Sequence, residues 1–161
     1  IHGCVMRKLF SVLSFVLLYI TIAFGQAVDI PITVSDNGGN SQILNFGLDL
    51  TATDGLDPAL DEGDLPPPPP GNAFDARWWI PPYDGVLSSL KDYRAPGSPP
   101  SFPFTGLDTL VIKFQSTTFP MTVSWNLPPG IAATSTIMSL SGGSTVSFSG
   151  TGSIVFTSSY E

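Results

Sequence analysis

The stretch Leu110–Leu127, LVIKFQSTTFPMTVSWNL, decides the fold class. Leu110, Ile112 and Phe114 alternate with Val111, Lys113 and Gln115, and Met121, Val123, Trp125 and Leu127 alternate with Thr122, Ser124 and Asn126. A period of two puts one set of side chains on a dry face and the other in water, the pattern of a half-buried strand. The spacer Ser116–Pro120 is short enough to join the two as an antiparallel pair, with Trp125 in the core. Pro128-Pro129 ends the second strand, because proline has no N–H for a ladder bond.

The same period recurs on both sides of this stretch. Val28, Ile30, Ile32 and Val34 alternate with Asp29, Pro31 and Thr33, and Pro31 marks an edge strand or a strand start. Asp36-Asn37-Gly38-Gly39-Asn40 is a turn, after which Leu44, Phe46, Leu48 and Leu50 give a second strand. Phe74, Ala76 and Trp78 share a face opposite Asp75 and Arg77, up to Pro81-Pro82. Ser88–Tyr93 suits a helical turn, and Ala95–Pro103 reads as loop. Thr136, Met138 and Leu140, then Gly142-Gly143, then Val146 and Phe148 read as a two-residue hairpin, with Ile154 and Phe156 in a last strand. About seven or eight short strands between Gly/Pro turns predict an all-β domain: an immunoglobulin-like antiparallel β-sandwich, with a closed barrel as the alternative.

One segment breaks the pattern. Thr51–Ala73 forms a long acidic and proline-rich loop, in which Pro66–Pro70 are five successive prolines expected to run as polyproline II. A loop this long inside a compact domain is either functional or a wrapped connector.

The N-terminal region has a different logic. Arg7 and Lys8 precede the uncharged run Leu9–Phe24, and Ala23-Phe24-Gly25 supplies small residues before a cleavage point at Gln26. Residues 6–25 therefore read as a secretory signal peptide, an N-terminal signal helix, and 26–161 as one exported β-sandwich domain. The alternative is an uncleaved anchor, but the run is shorter than the roughly 20 apolar residues of a spanning helix and contains Ser11, Ser14 and Thr21. Residues 1–5 look like translated upstream sequence, and the alternation of Ile154 and Phe156 leads us to expect that the gene continues past Glu161. The expected location is extracellular or at the cell surface, with the periplasm also open to it, and the membrane is met only through the signal peptide.

Composition narrows the chemistry. His2 and Cys4 are the only histidine and the only cysteine, and both lie before Met6, so the exported part lacks the usual neutral-pH proton shuttle and any thiol nucleophile. Six basic and thirteen acidic residues give −7; cleavage would remove Arg7 and Lys8 and no acid, giving 4 − 13 = −9. No Lys or Arg occurs from Leu9 to Ala76, which argues against nucleic acid as a partner, since its binding requires clustered cations. Proteins, neutral glycans and other domains of the same surface protein remain. Paired carboxylates can hydrolyse glycosides, but here most acids share one loop with nothing to fix a pair across a cleft. We expect no enzyme and no catalytic residues.

Two groups of residues are candidates for binding. Asp49, Asp54, Asp57, Asp61, Glu62 and Asp64 fall within sixteen residues that contain no cation. Asp54, Asp57, Asp61, Glu62 and Asp64 could ligate calcium, which takes oxygen ligands from flexible loops, although their spacing is not that of an EF-hand. The alternative is a solvated acidic loop in which Asp54 and Asp57 form turns and caps. Trp78, Trp79 and Tyr83 could stack on sugar rings; alternatively Trp78, in phase with Phe74, is core and Trp79 packs on the prolines.

Seven short motifs occur in a familiar order: Thr53-Asp54-Gly55, Asp57-Pro58-Ala59-Leu60, Leu65-Pro66-Pro67, Phe74-Asp75-Ala76-Arg77, Lys91-Asp92-Tyr93-Arg94, Ile112-Lys113-Phe114-Gln115 and Val123-Ser124-Trp125-Asn126-Leu127-Pro128. Over roughly Phe46 to Gly130 the chain resembles an uncharacterised extracellular β-module of proteins that Bacteroidetes-type bacteria export through type IX secretion. The resemblance implies a spacer, adhesive or interaction module beside other surface domains, with no catalytic residues to carry over; the C-terminal sorting domain usual in that family does not follow here. The same motifs suggest an ion-pair network, in which Asp75 and Arg77 meet complementary charges from Lys91, Asp92 and Arg94 and tie the long loop to the sandwich. Two readings thus stand: a non-enzymatic structural, adhesive or interaction module, or a calcium-assisted carbohydrate-binding module.

Overall fold

The computed structural model describes residues 28–84, 86–101, 108–128, 135–137 and 146–157. The expected signal peptide, its cleavage point and the Gly142-Gly143 turn lie outside the described residues. Ten strands are present among the described residues: β1 Val28–Asp36, β2 Ser41–Leu48, β3 Asp75–Trp79, β4 Ser88–Ser89, β5 Lys91–Arg94, β6 Val111–Gln115, β7 Met121–Asn126, β8 Ser135–Ile137, β9 Val146–Phe148 and β10 Thr151–Phe156. The 3-10 helix Pro58–Leu60 is the one regular element inside the long loop. The fold is all-β, as the alternation predicts.

The strands form two main sheets and a small ladder. The larger sheet has the order β10-β7-β1-β2-β5, the second has the order β4-β3-β6, and β8 pairs with β9. Every pairing is antiparallel except β2 with β5, which run parallel from Asn45 opposite Lys91 to Leu48 opposite Arg94. The larger sheet is therefore mixed, not purely antiparallel as expected. The parallel pair arises because the chain leaves β2, passes through the long loop and the second sheet, and returns to the open flank of β2.

That return is abrupt. β4 belongs to the second sheet and β5 to the larger one, with Leu90 alone between them; its carbonyl accepts the Asn45 N–H at 2.9 Å. The segment Ser88–Tyr93, expected as a helical turn, is thus two strand pieces divided between sheets. Its pattern of polar and apolar residues misleads because both faces of β5 are covered.

Two further expectations are corrected. β6 and β7 do not pair: β6 lies against β3, and β7 lies between β1 and β10, so the Ser116–Pro120 spacer crosses between sheets. A short connection limits distance but does not choose between a hairpin and a corner. β1 is central, not an edge. Pro31 is tolerated because β7 pairs only with Ile32–Asp36, leaving the flank of Pro31 opposite β2 without a ladder to interrupt.

Both sheets contribute to one core. Ile30, Ile32 and Val34 of β1 with Leu44, Met121 and Val123 bury against Ala76, Trp78 and Ile80. Phe46 meets Trp78 edge-on across the layer at 5.8 Å, and Phe114 of β6 meets Phe156 of β10 at 5.0 Å. Trp125 is core, as expected; its indole lies over Gly152, directly opposite on β10, where a Cβ would come within 2.6 Å of the ring. Glycine there is the space that the indole fills.

Candidate functional site

The most elaborate arrangement of charged side chains lies where the acidic loop meets β5. Register places Asp92 and Arg94 in phase with Phe46 and Leu48, facing the inter-sheet layer, and Tyr93 in phase with Gly47 on the outer face. Ala52 and Leu60 of the loop pack on Tyr93, so the loop folds around the flank of β5. The Tyr93 hydroxyl donates to Asp29 Oδ1 at 3.2 Å across side-chain-free Gly47.

Glu62 holds the loop in this position. Its Oε1 accepts the Tyr93 backbone N–H at 2.6 Å and its Oε2 accepts the Asp57 backbone N–H at 2.8 Å. The first bond satisfies a donor on the strand flank that would otherwise be unpaired. Arg94 completes the attachment, donating through Nη1 to the Asp54 carbonyl at 2.7 Å and through Nη2 to Asp92 Oδ2 at 2.9 Å. Glu62, Asp92 and Arg94 are all buried, and burial raises both carboxyls above their usual range, Asp92 to about 7. Asp92 Oδ1 and Arg94 Nε are buried with no hydrogen-bond partner among the described residues.

A second attachment secures the prolines. Asp75 accepts two bonds from Arg77, at 2.7 Å each, which orient the guanidinium so that Nη1 donates to the Pro66 carbonyl at 2.7 Å and to Ser88 Oγ at 3.2 Å. Gln115 Nε2 donates to the carbonyls of Pro69 and Pro70. Prolines have no N–H but keep their carbonyls, and it is these that the second sheet grips.

The calcium candidates are distributed among these contacts. Asp54 turns its carboxylate outward, 4.0 Å from Arg94, with its side chain 91% exposed. Asp57 accepts from the Thr53 N–H, Asp61 pairs with Lys91, Glu62 binds two backbone N–H groups, and Asp64 accepts from the Ser88 N–H at 3.4 Å. Among the described residues, no three or more His, Cys, Asp or Glu side chains are grouped so as to hold a metal ion.

The aromatic candidates are likewise separated. Trp78 and Trp79 are neighbours on β3 and point to opposite faces; Trp78 is 3% exposed and part of the core, so it offers no ring to a sugar. Trp79 is half-buried with Lys113 Nζ 4.4 Å from its ring centroid. Tyr83, half-buried and at φ 64°, donates its hydroxyl proton to the Thr109 carbonyl at 2.7 Å.

The expected network exists with different partners: Asp75 pairs with Arg77, Asp92 with Arg94 and Lys91 with Asp61. Asp92 and Arg94, expected as partners of Asp75 and Arg77, instead pair with each other at the buried centre. The signal available was a charged strand, Lys91-Asp92-Tyr93-Arg94, too rich in charge for any open sheet face. Comparison with family models, with curated proteins and with solved structures finds no match to this chain.

Proposed function

We propose that this chain is an exported, non-enzymatic module with an immunoglobulin-like sandwich, serving a larger cell-surface or secreted protein as a structural, adhesive or interaction domain. One observation carries this reading. The buried charged groups, Glu62, Arg77, Asp92 and Arg94, direct their hydrogen bonds to one another and to the loop backbone and so hold the long loop against the two sheets. Export is supported by the Arg7-Lys8 start and the apolar run that follows, and the module reading by the seven ordered motifs. Its partners are other domains of the same surface protein, other proteins or neutral glycans.

Expression of the full chain in a diderm bacterium tests this, with the product analysed by mass spectrometry and then applied to a glycan array with and without calcium. The expected product starts at Gln26, lies beyond the inner membrane and binds no glycan through Trp79. Retention of residues 9–24 would make it an anchored protein. Calcium-dependent glycan binding that Trp79→Ala abolishes would replace the reading with the carbohydrate-binding one.

A further inference from the structure

Behind the acidic loop, the buried carboxyls of Glu62 and Asp92 lie near one buried guanidinium, Arg94, whose outer edge also has the exposed Asp54 carboxylate at 4.0 Å. Glu62, Asp92 and Arg94 are 1%, 0% and 1% exposed. The guanidinium is the one positive group in this cluster. Burial raises the Glu62 carboxyl, but its two backbone N–H bonds act in the opposite sense and favour its ionised form, support that Asp92 lacks. With Asp92 ionised as well, the cluster carries one negative charge more than it can balance, in a place that excludes water. One proton restores neutrality, and Asp92 has the vacant position for it: Oδ2 faces Arg94, while Oδ1 has no partner among the described residues.

The other groups around the cluster do not supply the missing positive charge. Asp108, before β6, acts on Asp92 with the same sign as Glu62, and Asp57 in the loop acts likewise on Glu62. Tyr83, after β3, contributes a neutral phenol. On β5 itself Lys91 pairs with Asp61, and on β3 Arg77 is paired with Asp75.

We propose that residues 49–65 are a proton-controlled guard on the β5 edge, closed when the Glu62–Asp92–Arg94 cluster holds one proton and loosened when that proton leaves. The step is a transfer of the Asp92 carboxyl proton to solvent, with no other covalent bond changed. The rise of the Asp92 carboxyl to about 7, caused first by burial and then by its acidic neighbours, agrees with the charge count. Because the native value lies above the ordinary 3.8, the closed state binds the extra proton; its advantage is full below about 3.8 and declines as pH rises towards 7. Loosening uncovers the Tyr93 N–H and the flank of β5, a template on which an added strand can pair. This inference does not depend on the exported-module reading.

The test is amide exchange and carboxyl-carbon NMR on the isotopically labelled full chain. Protection factors of the Tyr93 and Asp57 amides should fall by roughly tenfold per pH unit between pH 5 and pH 7. Amides of the β1–β7 ladder should hold their protection, and Asp92→Asn should remove the dependence. The Asp92 carboxyl should titrate far above the usual carboxylate range. Three results would overturn the proposal: an Asp92 carboxyl titrating near 3.8, protection at Tyr93 that is unchanged with pH, or a pH dependence that survives Asp92→Asn. If that variant does not fold, the wild-type titration and exchange decide alone.

Discussion

The Tyr93 backbone N–H donates to Glu62 Oε1 across 31 residues of sequence, and through this bond the side chain of a loop residue takes the place of a neighbouring strand. β5 is paired on one side by β2 and closed on the other by the loop. Glu62→Ala should leave both the Tyr93 and the Asp57 N–H groups without their acceptor, at a cost of about 3 kcal/mol. Glu62→Gln, which retains one carbonyl oxygen, should cost less. Urea unfolding of the three proteins measures the order, and equal stability of Glu62→Ala and wild type would contradict it.

The Asp92–Arg94 pair should respond non-additively to substitution. Arg94→Met removes the guanidinium that holds the buried Asp92 carboxyl and should cost roughly 3–5 kcal/mol. The double variant Asp92→Leu with Arg94→Met, which removes both partners and leaves neither polar group buried without the other, should recover much of that loss. A double-mutant cycle with zero coupling energy would show that the two side chains do not act as a pair.

Gly47 leaves no room for a side chain. A Cβ there would lie 1.8 Å from the Val28 carbonyl oxygen, a backbone atom that cannot move aside. Gly47→Ala should therefore destabilise by more than about 3 kcal/mol or prevent folding altogether. Gly63→Ala, where nothing lies within 4 Å, is the control and should leave the thermal midpoint nearly unchanged. Soluble yield and circular dichroism suffice to compare them.

Stability should pass through a maximum near the ordinary carboxylate value of 3.8 and decline from there towards neutral pH. The Asp36 carboxyl is held below its usual range by the Asn40 side chain first, then by Ser116 and the turn N–H groups, so its contribution is present above about 3.8 and is lost as pH falls. Asp92 works in the opposite sense, losing its contribution as pH rises towards 7. Melting temperatures from pH 3 to pH 8 should therefore rise and then decline. Asp36→Asn should flatten the acid limb and Asp92→Asn the neutral one. A midpoint climbing steadily from pH 4 to pH 8 would refute the assignment.

Strands with one wet face were legible in the sequence: β1, β2 and β7 follow period two because only one side of each is dry. β5 was not legible, since Asp92 and Arg94 lie in the inter-sheet layer and Tyr93 lies beneath Ala52 and Leu60. A strand covered on both faces by polar attachments shows no alternation of polarity. Pairing was hidden for a different reason. The Ser116–Pro120 connection has hairpin length but turns a corner between sheets, and local residues do not record that choice. Within the candidate site, the positions of the acids in the loop were plain, whereas their separate destinations depended on Arg94 and Lys91, which are some thirty to forty residues away.

Leu90, the single residue between β4 and β5, makes the length of that link as decisive as any side chain. One residue added there would reverse the parity of everything that follows it in β5. Tyr93 would turn inward, and Asp92 and Arg94 would be carried beneath Ala52 and Leu60, where neither an Asp54 carbonyl nor a carboxylate awaits them. Sequence drift at this point can exchange residues but cannot change their number, so divergent copies of the domain should vary in loop length elsewhere while keeping this interval constant.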